Sequence, residues 1–369
     1  MKHKFGIDGL LLKFFVEYLS NRCQRVVVNG SSSNDLPVNS GVPQGSILGP
    51  VLFVLFINDI SSNIDPKSDI CLYADDTKLY REIQDQAILQ QDISKLNDWA
   101  TSNKMKFHPD KCKLLSVTLN RENGQTSSYK LGNKVINQVE VEKDLGVHIS
   151  SRLNWTDHCN YIYSKANRNL GLMKRTCRFV KNRAQRRNLY LAMVRSQLEH
   201  CSTVWSPYTT TSLDKLESIQ KRAFKWIFGE EYCSYSPESY YLRCKELNIL
   251  PIKHKLLLKD LKLFHEIIIN RAQIDFPDYL KMYSGSTRLR SSHLDELSVV
   301  SNIEPKITRN YNGPEIVSTS LAQFANCYFY RTMNNWNLLP KEVREHGLPK
   351  QFEFAASKWL WEAARPQTE

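Results

Sequence analysis

The chain has 369 residues, long enough for two or three domains with cores of their own, and its 41% apolar and 24% charged content is that of a globular protein rather than a disordered tail. A net charge of +12 and a pI near 9.2 suit a polyanionic partner, most simply nucleic acid, although charge alone leaves open a soluble protein that is merely basic. The nine cysteines are scattered, with no C-x-x-C and no zinc-ligand spacing of Cys and His, so they read as reduced intracellular thiols rather than a disulfide framework or a metal finger.

Met1-Lys2-His3-Lys4 is not followed by an uninterrupted apolar core and a small-residue cleavage site, so no secretory signal is read. Residues 5–20 predict an amphipathic helix after Gly9, with Leu11, Leu12, Phe15, Val16 and Leu19 at helical spacing. Residues 22–29 alternate as a strand, 30–35 form a loop, and 36–40 return as a second strand. Ser40-Gly41-Val42-Pro43-Gln44-Gly45-Ser46 follows. Its glycines let backbone approach a ligand closely, Gln44 both donates and accepts hydrogen bonds, and Ser46 is a good N-cap for the next helix. A Pro-Gly turn before a capped helix accounts for the same residues without a ligand. The run Ile47–Ile57 predicts a buried helix, too short to span a bilayer and interrupted by Gly49-Pro50.

Ile70-Cys71-Leu72-Tyr73-Ala74-Asp75-Asp76-Thr77-Lys78-Leu79-Tyr80 reads as a β-hairpin with Asp75 and Asp76 at its tip. Adjacent carboxylates repel unless positive charge sits beside them, and oxygen-only donors suit magnesium; a plain Asp-Asp turn on a wet surface has the same pattern. Residues 84–103 carry Ile88, Leu89, Ile93, Leu96 and Trp99 at helical spacing and predict a helix under the sheet. A strand is expected over Leu114–Leu119, a flexible loop over 121–128, and strands over Tyr129–Leu131 and Lys134–Val139 around the turn Gly132-Asn133. Residues 142–149 read as a strand pair around Gly146.

From Leu153 the periodicity turns helical. Residues 165–187 hold nine Lys and Arg and no Asp or Glu, and predict a long basic helix with Leu170, Leu172, Met173 and Phe179 as its apolar residues. Two further helices are expected over 186–204 and 211–228, broken at Ser206-Pro207, and two more within 236–270. A polar loop is expected at about 271–320, then helices over 321–338 and 351–364.

Together, SGVPQGSILGP, LFINDI and YADDTKLY, in this order and with YLSNRCQRVVVNG before them, resemble the motifs of non-LTR (LINE-type, jockey-like) retrotransposon reverse transcriptases. The resemblance implies an α+β fold: a partial right-hand polymerase palm, an antiparallel sheet with packed helices, over 1–149, a helical thumb over 150–229 and a C-terminal helical region over 230–369. It implies RNA-directed DNA synthesis by two-metal catalysis, with Asp75 and Asp76 as catalytic ligands of Mg2+ or Mn2+, and with RNA template, DNA primer and dNTP as partners. Pro43, Gln44, Gly45 and Ser46, with Tyr73 and Ala74, would line the nucleotide and template pocket. Gly146, Lys165, Arg168, Lys174, Arg175 and Arg178 would meet the primer and duplex, with Lys111 or Lys113 near the nucleotide phosphates. No membrane is implied, and the setting is intracellular, in cytoplasm or nucleus. The family also carries an upstream carboxylate strand, which none of Asp8, Glu17 and Asp35 matches because none sits on an apolar strand. The sequence-based expectation is therefore an amino-terminally truncated copy, inactive alone; the alternatives are a non-catalytic nucleic-acid-binding remnant and a reading frame whose product rarely folds.

Overall fold

The computed structural model describes residues 5–82, 86–118, 128–229, 236–275, 280–282, 297–299 and 327–366. It is a mixture of helices and small antiparallel sheets, and it divides into two compact units: residues 1–114 with 125–138, and residues 115–124 with 139–369. Among the described residues, no helix is long and apolar enough to cross a membrane.

The first unit opens with α1 (Gly9–Leu19), whose first turn is capped by Asp8 accepting from the Gly9 amide at 2.8 Å. The expected strand over 22–29 is split into β1 (Arg22–Gln24) and β2 (Val27–Val28). β1 pairs with β4 (Leu36–Val38), while β2 folds back on β3 (Ser31–Ser32). Helix α2 (Leu48–Ile57) begins two residues after Ser46, whose hydroxyl accepts from the Gly49 amide of the first turn at 2.9 Å, as a capping serine does, and donates to the Pro43 carbonyl at 2.8 Å. The expectation that this apolar run is buried needs correction. Leu52 and Ile57 are buried, but Ile47, Val51, Val54 and Phe56 are exposed. A helix that is apolar all round buries only the face its neighbours reach, and here they reach one.

That face meets the hairpin of β5 (Asp69–Tyr73) and β6 (Asp76–Tyr80) and helix α3 (Gln86–Ser102). Ile57, Ile60 and Leu96 form a small core, with Phe53 of α2, Ile70, Leu72 and Leu79 of the hairpin, and Trp99 of α3 against it. A polar cluster fixes the base of the hairpin. Asp92 of α3, with no exposed surface, accepts from the Asp65 amide (3.1 Å), the Ser68 hydroxyl (2.7 Å) and Lys95 (3.0 Å), while Arg81 after β6 reaches Asp65 at 2.7 Å and Ser68 at 2.9 Å. Burial works against ionisation of Asp92, but its hydrogen bonds outweigh that and hold the carboxyl below the usual range. The expected strand at 114–119 is the shorter β7 (Lys113–Leu115), and the expected loop at 121–128 lies almost wholly outside the described residues. β8 (Lys130–Leu131) and β9 (Lys134–Val135) pair around Gly132, whose φ is +59°, and β10 spans Asn137–Val139.

The second unit begins with the hairpin of β11 (Val141–Asp144) and β12 (Val147–Ser150). Helix α4 (Thr156–Thr176) buries Cys159, Ile162, Ala166, Leu170 and Met173. The single basic helix expected over 165–187 is broken. α4 stops at Cys177, and α5 (Arg183–Tyr190) starts afresh from Asn182, whose side chain accepts from the Gln185 amide at 3.1 Å. No buried apolar residue follows Met173 until Tyr190, so nothing draws one continuous helix against the core; Phe179 is exposed. The expected helix at 186–204 is also subdivided. A π-helical turn (Leu191–Arg195) separates α5 from α6 (Ser196–Glu199), and Cys201, at φ +50°, separates α6 from α7 (Ser202–Trp205). α8 (Thr210–Phe228), α9 (Pro237–Leu247) and α10 (Ile252–Ile268) lie where periodicity places them. One core runs from Val147 through α4, α5, α8 and α9 to Leu256. A second joins α10 to α11 (Tyr328–Asn337) and α13 (Pro349–Ala363) around Phe264, Trp336 and Phe352, with α12 (Lys341–Arg344) between them in sequence. Within the polar stretch 271–320, β13 (Leu280–Met282) pairs with β14 (Leu297–Val299), a local pairing that its composition did not announce.

Candidate active site

The carboxylates sit where the alternation places them. Tyr73 pairs with Asp76, leaving a two-residue turn of Ala74 and Asp75. Ala74 adopts φ +53°, the left-handed region that costs a non-glycine residue about 1 kcal/mol. Opposed residues of an antiparallel pair share a face. Ile70 with Leu79, and Leu72 with Thr77, therefore face the core under the hairpin, and Asp69 with Tyr80, Cys71 with Lys78, and Tyr73 with Asp76 face the other way. Asp75 and Asp76 are both exposed, and neither makes an ion pair or side-chain hydrogen bond among the described residues. The Thr77 hydroxyl is buried on the core face without a partner.

Two adjacent, wet carboxylates are a hard-oxygen donor set. Magnesium is commonly held by one or two carboxylates, its remaining positions filled by water and substrate phosphates. The pair fits such an open site. It does not make a closed cage, since no group of three His, Cys, Asp or Glu gathers among the described residues.

The Ser40–Ser46 loop is held from beneath by Arg22, which donates to the carbonyls of Gly41 (2.6 Å), Ser40 (3.2 Å) and Leu19 (3.0 Å). Gly41 and Gly45 take φ of +74° and +80°, so both positions need glycine. Gln44 and Gly45 are exposed at the head of α2, whereas Pro43 and Ser46 are half-buried and the Ser46 hydroxyl is fully used by the cap. α2 then lays Phe53 and Ile57 against the underside of the hairpin, opposite the face that carries Tyr73 and Asp76.

In the second unit the expected phosphate contacts separate into groups. Lys165, Arg168 and Arg175, with exposed Leu172 between them, recur at helical spacing along one side of α4. The stripe begins at Tyr161, whose ring lies 5.5 Å from the Lys143 ammonium and 6.0 Å from that of Lys165, with His148 edge-on at 4.3 Å. Sequence reasoning placed Lys143 and His148 within the strand pair around Gly146 without singling them out, and it missed Tyr161, for which a tyrosine one turn before Lys165 was the available signal. Lys174 points elsewhere, donating to the Arg222 carbonyl at 3.2 Å, and burial, with Arg222 and Lys225 nearby, lowers its pKa. Arg222 binds Asn167 at 2.8 Å and the Tyr163 hydroxyl at 3.2 Å. Arg178 lies beyond the helix end over the Phe179 ring. Gly146 occupies the hairpin turn at φ +89°, and the place a Cβ would take is 3.2 Å from Nε2 of His200. Three more residues of the basic run have structural work: Arg186 donates to the carbonyls of Val180 and Trp226, Arg187 to that of Leu247, and Arg183 pairs with Glu246 at 2.6 Å.

Residues 2–198 match the family model described as reverse transcriptase (RNA-dependent DNA polymerase). The chain is 25% identical over 232 residues to the RNA-directed DNA polymerase from mobile element jockey of Drosophila melanogaster, covering 60% of this chain and 25% of that protein. It is 24% identical over 257 residues to the probable RNA-directed DNA polymerase from transposon BS of the same fly, covering 65% and 27%. It is 26% identical over 130 residues to the Pol polyprotein from the type-1 retrotransposable element R2 of Popillia japonica, covering 31% and 20%. The chain thus spans about a quarter of the length of the curated relatives it matches. With the family model matching more than half of its residues and these proteins as its relatives, the chain belongs to the reverse transcriptase family, in the LINE-type, jockey-like group of non-LTR retrotransposons.

Proposed function

We propose that the chain carries part of an RNA-directed DNA polymerase, with palm elements in residues 1–149, a thumb in 150–229 and a helical extension in 230–369. The observation that carries the reading is the exposed, unpaired Asp75-Asp76 couple on the open face of a hairpin whose other face is packed on α2 and α3. A divalent cation bound there would activate a primer hydroxyl and neutralise charge on a nucleotide triphosphate. The chain's own residues do the rest. Asp75 and Asp76 supply the oxygens, and Tyr73, on the same face as Asp76 and 65% exposed, offers a ring beside them. Gln44 and Gly45 present an amide and open backbone at the head of α2 for nucleotide and template. Lys165, Arg168 and Arg175 track duplex phosphates, with Arg178 and the Gly146 turn as further contacts, while Lys174, turned to the Arg222 carbonyl, is left out of that set. Such work is done in the cytoplasm or nucleus, where RNA and primer DNA meet.

A second reading, nucleic-acid binding without catalysis, is favoured by the lack of a third ligand beside Asp75 and Asp76 among the described residues. Primer extension on an RNA template with magnesium decides between them. Template-dependent extension that Asp75→Ala abolishes, while salt-sensitive duplex binding persists, supports the polymerase. Duplex binding with no extension by the unmodified chain supports the second reading, and extension that survives Asp75→Ala overturns the site.

A further inference from the structure

A trough in the helical unit is used by neither reading. Two adjoining cavities of about 580 and 630 Å3 share Leu191, Arg195, Glu199 and Lys255. We propose that this trough binds an unpaired nucleic-acid strand, with phosphates on Lys255 and Lys350 and a base against Phe354. The proposal goes beyond the polymerase reading and needs neither Asp75 nor Asp76.

The trough is cationic. Four cations line the trough, Arg195, Lys255, Lys259 and Lys350, against two carboxylates, Glu199 and Glu353. Both carboxylates are already engaged: Glu199 by Arg195 at 2.5 Å and Lys259 at 3.2 Å, and Glu353 by Lys262 at 2.7 Å. The ammonium groups of Lys255 and Lys350 have no hydrogen bond or ion pair among the described residues. Lys255 is half-buried, and burial lowers its pKa. Glu199 and Glu353 attract it through space without bonding it, so this half-withdrawn ammonium has no contacting anion among the described residues, and an incoming phosphate would supply one.

The trough's floor is also fixed in shape. The π-helical turn turns Arg195 inward, where it is 3% exposed and donates to Gln220 and, at 3.0 Å, to the Leu250 carbonyl. Gln220 in turn meets the hydroxyls of Tyr190 (3.0 Å) and Tyr240 (2.8 Å). The floor of the trough is thus tied by buried bonds. Toward α13 it is lined by Trp361 and by Phe354, which is 76% exposed. A cationic channel beside an open aromatic face is how proteins hold single strands, because stacking needs a base face that a duplex hides.

The test is fluorescence anisotropy of the full chain with a labelled single strand and with its duplex, across a salt series. Lys255→Gln with Lys350→Gln should weaken the single strand about tenfold and make its salt dependence shallower by about 1.4 in slope, two phosphates' worth. Phe354→Ala, at an exposed position that does not endanger folding, should weaken it about fivefold or more. Duplex affinity should stay within about twofold, and Asp75→Ala should leave single-strand binding unchanged, so failure of the polymerase reading and failure of this one are separable. Single-strand affinity unmoved by Phe354→Ala and by the double lysine change, or lost in parallel with duplex affinity, would overturn the proposal.

Discussion

Gly49→Ala sets two ordinary effects against each other. In an open helix interior alanine is favoured over glycine by about 1 kcal/mol. Gly49 is not in the open: a Cβ built there would stand 2.7 Å from the Pro43 carbonyl oxygen and 2.9 Å from the Ser46 hydroxyl. Those two atoms make the cap that starts α2, and the nearer one is backbone, so relief means moving the loop. Losing the cap costs about 1 kcal/mol. Forcing an extra carbon into closed packing costs about 1–3 kcal/mol. After subtracting the propensity gain, the change should destabilise the first unit by about 1–3 kcal/mol. Hydrogen-exchange protection of the α2 and β5 amides reads this unit separately from the helical one. Ser46→Ala alone should cost about 1 kcal/mol, and the double variant less than the sum because both changes break one cap. α2 amides as well protected in Gly49→Ala as in the wild type, or better, would refute the close-packed cap and with it the local account of the SGVPQGS loop.

Three further outcomes are expected. His158 is 1% exposed, accepts from the His148 amide at 3.0 Å, and burial lowers its pKa to about 4. A lowered histidine pKa means the unfolded chain takes up the proton first. The stability it contributes is therefore complete above about pH 6.5 and lost as pH falls toward 4, by about 3 kcal/mol; His158→Asn should flatten chemical-denaturation stability across that window relative to wild type. Asp92→Ala leaves the Ser68 hydroxyl, the Asp65 amide and Lys95 without their acceptor and should cost about 2–4 kcal/mol in the first unit, read by the same exchange experiment. Arg168→Gln with Arg175→Gln should make the salt dependence of duplex binding shallower by about 1.8 in slope, with little change in melting temperature since both side chains are exposed.

The hairpin was legible because its signal is local: alternation on two short runs and a two-residue turn fix which side chains share a face. The cap at Ser46 was legible for the same reason. The exposure of α2 was not, because an apolar run reports what could be buried and not which neighbours are present to bury it. The broken basic run was hidden in a composition that reads as one face. Only the structure shows Arg186 and Arg187 spent on the carbonyls of Val180, Trp226 and Leu247, while Lys165, Arg168 and Arg175 stay on α4. The inward Arg195 was invisible for a further reason. Its partners Gln220 and Leu250 come from α8 and the α9–α10 connection, and a lone arginine in a helical pattern carries no mark of burial.

Whether Asp75 and Asp76 hold a divalent cation is measured most directly by nuclear magnetic resonance with paramagnetic Mn2+ in the presence of template-primer and dNTP. Amide signals of residues 73–77 should broaden at the lowest manganese additions, and the effect should vanish in Asp75→Asn with Asp76→Asn. Broadening that leaves 73–77 sharp, or that persists there in the double variant, would contradict cation binding by this pair.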